Sequence, residues 1–157
     1  MVSRMNVCLG GTFYPLHEGH KALLRKAFQV AGSKGSIFIG VTSASMAKKK
    51  EGIASFKKRK QSIEQFLAEE KVISQVIVQP LSNKFGPTLK GDFDAIVVSP
   101  ETKSTAEEIN RKRRFIGKKP LQIIAIPFVL SEDRKPISSS RIRRKEINEK
   151  GTILKKD

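Results

Sequence analysis

The chain's only two histidines, His17 and His20, stand three residues apart in Gly10-Gly11-Thr12-Phe13-Tyr14-Pro15-Leu16-His17-Glu18-Gly19-His20. A short apolar run, Asn6 to Gly10, precedes them, and Gly10-Gly11 ends it at a sharp turn where backbone can approach a phosphate closely. A helix follows the turn. Both imidazoles, together with the helix's first backbone N–H groups, are expected to face one anion. Such a cluster stabilises charge that develops on a transferring phosphoryl group and needs no nucleophile of its own. Two histidines also suit a metal. No third histidine exists, however, the single cysteine, Cys8, sits inside the apolar run, and Glu18 is expected to point elsewhere, so no side-chain metal site is expected.

Near the other end, Ile137-Ser138-Ser139-Ser140-Arg141-Ile142-Arg143 puts hydroxyls at a helix start with a basic first turn. Alone, three serines are only a cap. Opposite the histidine pair, the exposed N–H groups and Arg143 can hold a triphosphate, so two helix starts would clamp a nucleotide. The run Lys48-Lys49-Lys50 reads as solvated loop, although a lysine there would bring two anionic reactants together against their repulsion. Asn110 and Arg113 lie one turn apart on a predicted helix and could reach phosphates. Arg111, Lys112, Arg114 and Lys118 read as surface charge.

These residues need elements to position them. Asn6 to Gly10, Ser36 to Val41, Val76 to Val78, Asp94 to Val98 and Leu121 to Ile126 are continuously apolar, as strands buried on both faces are. Between them, helical spacing runs over His20 to Ala31, Lys57 to Glu70 and Thr105 to Ile116, and a final helix is expected over Ser139 to Glu149. Alternating strands and helices predict an α/β fold, a doubly wound five-stranded parallel sheet whose ligands sit at the strands' carboxyl ends.

The 157 residues fit one domain spanning 1–157, with 151–157 expected to fray. No apolar run approaches the roughly 20 residues of a membrane span, and no signal peptide is evident, so a cytoplasmic protein without membrane attachment is expected. A net charge of +16 attracts nucleotides and nucleic acid alike, and non-specific polyanion binding is expected to accompany it. With no Trp and one Tyr, aromatic stacking platforms for nucleic acid are scarce. Cys8, in a core strand, is expected to be a buried structural thiol.

The glycine-rich turn resembles the GGTFDxLHxGH opening of the HxGH nucleotidyltransferase superfamily, and Ile137 to Arg143 resembles its ISSTxIR signature. The middle of the chain narrows the likeness. GVTSASMAKKK, Phe85-Gly86-Pro87-Thr88, Ser99-Pro100-Glu101-Thr102 and Ile109-Asn110-Arg111 look like phosphopantetheine adenylyltransferases of the archaeal and eukaryotic type, over about Asn6 to Lys145. The resemblance implies a Rossmann-like nucleotidyltransferase fold. It also implies transfer of AMP from ATP to 4′-phosphopantetheine, giving dephospho-coenzyme A and pyrophosphate, with Mg²⁺ carried by ATP and no side-chain metal ligand.

By that resemblance Thr12 and His20 contact the transferred phosphate, and His17 assists, with Lys48 and Arg143 completing the catalytic set. Gly10, Gly11, Thr12, Phe13, His20, Ser99, Glu101, Asn110, Ile137, Ser138, Ser139 and Ser140 would hold the nucleotide. Thr12, Lys48, Lys50, Phe85, Gly86, Pro87 and Thr88 would hold the acceptor. Two positions depart from the pattern. Tyr14 replaces the aspartate of GTFD, and Asn83 stands where an aspartate precedes the Gly-Pro turn, beside Phe85 where Tyr is usual. Rival readings are a nicotinamide-mononucleotide, FMN or glycerol-3-phosphate nucleotidyltransferase of the same superfamily, a nucleic-acid-binding module, and a degenerate binding protein. The sequence leaves oligomeric state open.

Overall fold

The computed structural model describes residues 5–43 and 52–154. Five strands, β1 (Asn6–Gly11), β2 (Ser36–Thr42), β3 (Gln75–Leu81), β4 (Ala95–Val98) and β5 (Gln122–Ala125), form one sheet in the order β3-β2-β1-β4-β5. Every pairing is parallel. Helices α1 (Glu18–Ala31), α2 (Phe56–Glu69), α3 (Lys103–Phe115) and α4 (Ser139–Arg143) lie between or after the strands, and a 3₁₀ turn spans Gly86–Leu89. This is the predicted doubly wound α/β architecture.

Alternation along each strand divides the core. Val7 and Leu9 of β1 and Ala95 and Val97 of β4 pack with Leu24 and Ala27 of α1 and with Ile63 and Phe66 of α2. Their neighbours Cys8, Ile96 and Val98 point to the other face, against Ala106 and Ile109 of α3. Cys8 is fully buried, and burial pushes its thiol up to about 12, so it is a packing residue rather than a nucleophile. The winding direction reverses between β1 and β4. Their carboxyl ends, Gly10-Gly11-Thr12 and Val98-Ser99, therefore open on the crevice where such sheets bind ligands.

Several expected boundaries move. Helix α1 starts at Glu18 instead of His20, because His17 serves as its N-cap. Strand β3 continues to Leu81 through Pro80, which a sheet's edge strand tolerates. The largest correction is the last helix, which ends at Arg143 and not at Glu149. Lys145 turns to a φ of 61°, and Ile147 then bridges antiparallel to Ile153. Gly151, with φ 82°, makes the turn between them, and a Cβ there would meet Ile137 Cδ1 at 2.8 Å. Residues 151–154 are thus built into the fold, contrary to the expected fraying. The Glu149 carbonyl reaches back to accept from Glu18 N at 3.0 Å, tying this segment to the start of α1.

Candidate active site

The turn after β1 sets the geometry. Phe13 takes a φ of 54° and is buried, with its ring 5.3 Å from that of His20. His17 Nδ1 accepts from Gly19 N at 3.0 Å and from His20 N at 3.4 Å, while His20 Nδ1 accepts from His17 N at 3.3 Å. The two rings stack at 3.7 Å. Here the structure corrects an expectation. The first N–H groups of α1 are not free for an anion, because His17 takes two of them, Glu149 O takes that of Glu18, and His17 O takes that of Lys21. Each ring spends Nδ1 as an acceptor, which fixes the proton on Nε2 and leaves the imidazole N–H groups as the donors at this helix start. Glu18 points away, pairing with Lys21 and Arg25.

Burial lowers the pKa of His17 to about 4 and that of His20 to about 3. For His20 the neighbouring His17 adds to the fall and the Pro15 carbonyl opposes it. Both rings are neutral donors at pH 7. The unfolded chain protonates its histidines near 6.5, so between that pH and about 4 the unfolded state binds more protons and stability falls with pH. We expect the ligand-free protein to lose about 2 kcal/mol at pH 5 for His17 alone, with no loss above pH 7. Denaturant melts from pH 7 to pH 5 measure this, and a midpoint that does not move over that range would show that neither histidine is held neutral.

A cavity of about 310 Å³ opens on this turn, lined by Gly10, Gly11, Thr12, Phe13, Tyr14, His17 and His20 on one side. Ser99 and Glu101 after β4 and Ile137, Ser138, Ser139, Ser140 and Arg143 around α4 close the other. Ser138 caps α4, its Oγ accepting from Arg141 N at 3.2 Å. Arg141 does not face the cavity. It binds Asp133, Ser131, Pro136 O and Glu146, and so fastens α4 to the 131–136 segment while Arg143 stays at the cavity. The Ser131 hydroxyl and Arg141 together hold Asp133 down to about 2. Phe128, Val129 and Thr102 also line the cavity, and sequence reasoning missed them. Their signal is only that they follow β5 and β4 at the strands' carboxyl ends.

A second cavity, of about 160 Å³, is lined by Phe38, Leu81, Phe85, Ile96 and Ile109 and shares Gly10, Gly11 and Thr102 with the first. Of the predicted acceptor turn, Phe85 and Thr88 line it and Gly86 and Pro87 do not. Gly86 has φ 53°, and a Cβ there would lie 2.5 Å from Leu81 Cδ2, so it serves to make the turn. Asn83 does an aspartate's work in that turn, Oδ1 accepting from Phe85 N and Gly86 N at 3.0 and 2.9 Å. Lys48 and Lys50 lie outside the described residues.

Asn110 and Arg113 are corrected. Asn110 is buried and exchanges both bonds with the Leu121 backbone, Nδ2 to O at 2.8 Å and N to Oδ1 at 2.7 Å. Arg113 is 3% exposed and donates to the carbonyls of Thr88, Leu89, Gly91 and Lys119. Both brace α3 rather than touch a phosphate. Among the described residues no three His, Cys, Asp or Glu side chains group closely enough to hold a metal ion, and Glu101 is the one carboxylate lining the larger cavity.

A parallel sheet whose switch point carries these two facing turns is a nucleotide-binding α/β fold, and the relatives make its class a nucleotidyltransferase. The cytidylyltransferase-like family matches residues 8–145. A phosphopantetheine adenylyltransferase of Methanosarcina mazei is 42% identical over 150 residues, covering 95% of this chain and 97% of its own. Another, from Archaeoglobus fulgidus, is 42% identical over 151 residues, 96% of this chain and 100% of that one. A crystal structure of a protein of unknown function from Archaeoglobus fulgidus superposes with a TM-score of 0.70 at 38% identity, over 78% of this chain and 89% of that one. The chain belongs to the cytidylyltransferase-like nucleotidyltransferases and, among them, to the phosphopantetheine adenylyltransferase family.

Proposed function

We propose that the protein transfers AMP from ATP to 4′-phosphopantetheine, forming dephospho-coenzyme A and pyrophosphate. One observation carries this reading beside the family: two cavities of unlike chemistry meet at Gly10-Gly11. The larger, with histidine, serine and arginine donors, suits a triphosphate. The smaller, walled by Phe38, Leu81, Phe85 and Ile109 with Thr42 and Thr88 beside them, suits a slender arm such as pantetheine, whose gem-dimethyl and methylene groups alternate with amides.

The acceptor's phosphate is already ionised near neutral pH, so one of its oxygens attacks the α-phosphorus in line. The new P–O–P bond forms as the bond from the α-phosphorus to the bridging oxygen breaks, and pyrophosphate leaves with that electron pair. No covalent enzyme intermediate is required. Catalysis is by positioning and by donors aimed at the developing charge. His20 Nε2–H and the Thr12 hydroxyl serve the transferred phosphate, His17 and Arg143 its neighbours, and Lys48 or Lys50 the acceptor phosphate. Mg²⁺ arrives on the nucleotide as part of the substrate, since among the described residues Glu101 alone offers it a carboxylate in the larger cavity. Tyr14 lines that cavity where the family pattern has an aspartate, so no protein carboxylate is assigned to the metal from the turn.

Pyrophosphate release from ATP and Mg²⁺ tests the reading, with 4′-phosphopantetheine, nicotinamide mononucleotide and FMN each offered as acceptor. Turnover with phosphopantetheine alone is expected. Turnover with another acceptor would keep the chemistry and overturn the assignment of the smaller cavity. Silence with all three, alongside ATP binding, would make the chain a binding protein.

A further inference from the structure

Arg59 projects from α2 into the core, 2% exposed, and makes no ion pair among the described residues. A buried charge without a counter-ion is costly and persists where other dipoles satisfy it. Its Nε donates to Ala54 O at 2.9 Å. Its Nη1 donates twice, to Thr12 O and to Thr42 Oγ1, both at 3.2 Å. Thr42 closes β2, and its Oγ1 lies 3.2 Å from Thr12 Oγ1.

Hydrogen-bond valence gives this arrangement a direction. A guanidinium only donates, so Thr42 Oγ1 accepts from Arg59. The Thr42 proton then goes to Thr12 Oγ1, the acceptor it meets among the described residues. Thr12 accepts that proton, so its own hydroxyl hydrogen is free to leave the pair toward the cavity that Thr12 lines. A cation at the head of the chain polarises every bond in the same sense.

We propose that Arg59 and Thr42 are positioning residues for the transfer reaction: Arg59 fixes the Thr12 backbone and, through the Thr42 hydroxyl, turns the Thr12 hydroxyl into a one-way donor aimed at the transferred phosphate. The proposal rests on the adenylyl-transfer reading above. Thr42 itself faces the smaller cavity, which supplies the competing role, direct contact with the acceptor, and that role has a different kinetic signature.

The test uses the full chain and steady-state turnover with ATP and 4′-phosphopantetheine. Thr42→Val keeps the shape and removes the hydroxyl; we expect kcat to fall about tenfold, the value of one neutral hydrogen bond lost in the transition state, with KM for the acceptor within about twofold. Thr42→Ser restores kcat, and in a Thr12→Val background Thr42→Val adds almost nothing. Thr42→Cys, which keeps the volume and weakens both bonds, gives the same direction and serves if the valine variant does not fold. Unchanged kcat, a loss confined to KM for the acceptor, no rescue by serine, or an undiminished loss in the Thr12→Val background would each overturn the relay while leaving the reaction assigned. No turnover by the unmodified chain would overturn both.

Discussion

Replacing His20 by alanine lowers kcat for adenylyl transfer by about two orders of magnitude, the size seen when one preorganised donor to a developing charge is removed. The geometry explains why so much is expected from a neutral group. Nδ1 of His20 is occupied by His17 N at 3.3 Å, the ring stacks on His17 at 3.7 Å and lies against buried Phe13. Its N–H direction is therefore set before substrate binds, and the donor costs no reorganisation in the transition state. The fold should tolerate the change, because His17 Nδ1 still accepts from both Gly19 N and His20 N at the start of α1, and the only capping bond lost is the one from His17 N to His20 Nδ1. Circular dichroism would then match the parent while kcat falls and KM for ATP moves little. A near-parental kcat would remove His20 from the reaction; a loss confined to KM for ATP would make it a ground-state ligand.

How much of this site the amino-acid pattern exposes depends on what kind of contact is involved. His17 and His20, Gly10-Gly11 and the serines at 138–140 are legible because their chemistry is local: a turn, a cap and donors at fixed spacing. The crevice is legible too, because five apolar runs separated by helices leave few topologies open. That His17 closes off the first amides of α1 is not legible, since spacing says nothing about which ring nitrogen accepts or that Glu149 will arrive from the chain's far end. Asn110 and Arg113 mislead for the same reason. A polar pair one turn apart on a basic helix reads as reaching for phosphates, and only tertiary packing shows the side chains turned inward to backbone carbonyls. Arg59 shows the converse. Its place beside Ile63 on the buried face of α2 marks it as odd, but its link to Thr12 spans 47 residues. The last helix fails because the chain turns left-handed at Lys145 and Asn148 to Gly151 folds it back to pair Ile147 with Ile153, a tertiary outcome that the helix-forming residues of the segment conceal.

The inward turn of Arg113 makes the second large effect a stability effect with a kinetic shadow. Arg113→Met retains the apolar stem and leaves the carbonyls of Thr88, Gly91 and Lys119, bonded at 2.7, 3.1 and 2.8 Å, without their donor. Unpaired buried polar groups cost about 1–3 kcal/mol each, reduced where water enters, so a loss of about 3 kcal/mol is expected. For a chain of this length that is a fall in melting temperature of about 6–12 °C. The same bonds hold the 3₁₀ turn Gly86–Leu89 against α3, and Thr88 of that turn lines the smaller cavity. Loosening it should raise KM for the acceptor several-fold and leave KM for ATP nearly unchanged, because no atom of Arg113 lines the larger cavity. Arg113→Lys, with a charge but a single donor nitrogen, should fall between the two. Calorimetry and paired KM measurements decide the matter: an unchanged melting temperature with KM for ATP raised would return Arg113 to the phosphates, whereas the opposite pairing makes it the brace between α3 and the acceptor wall.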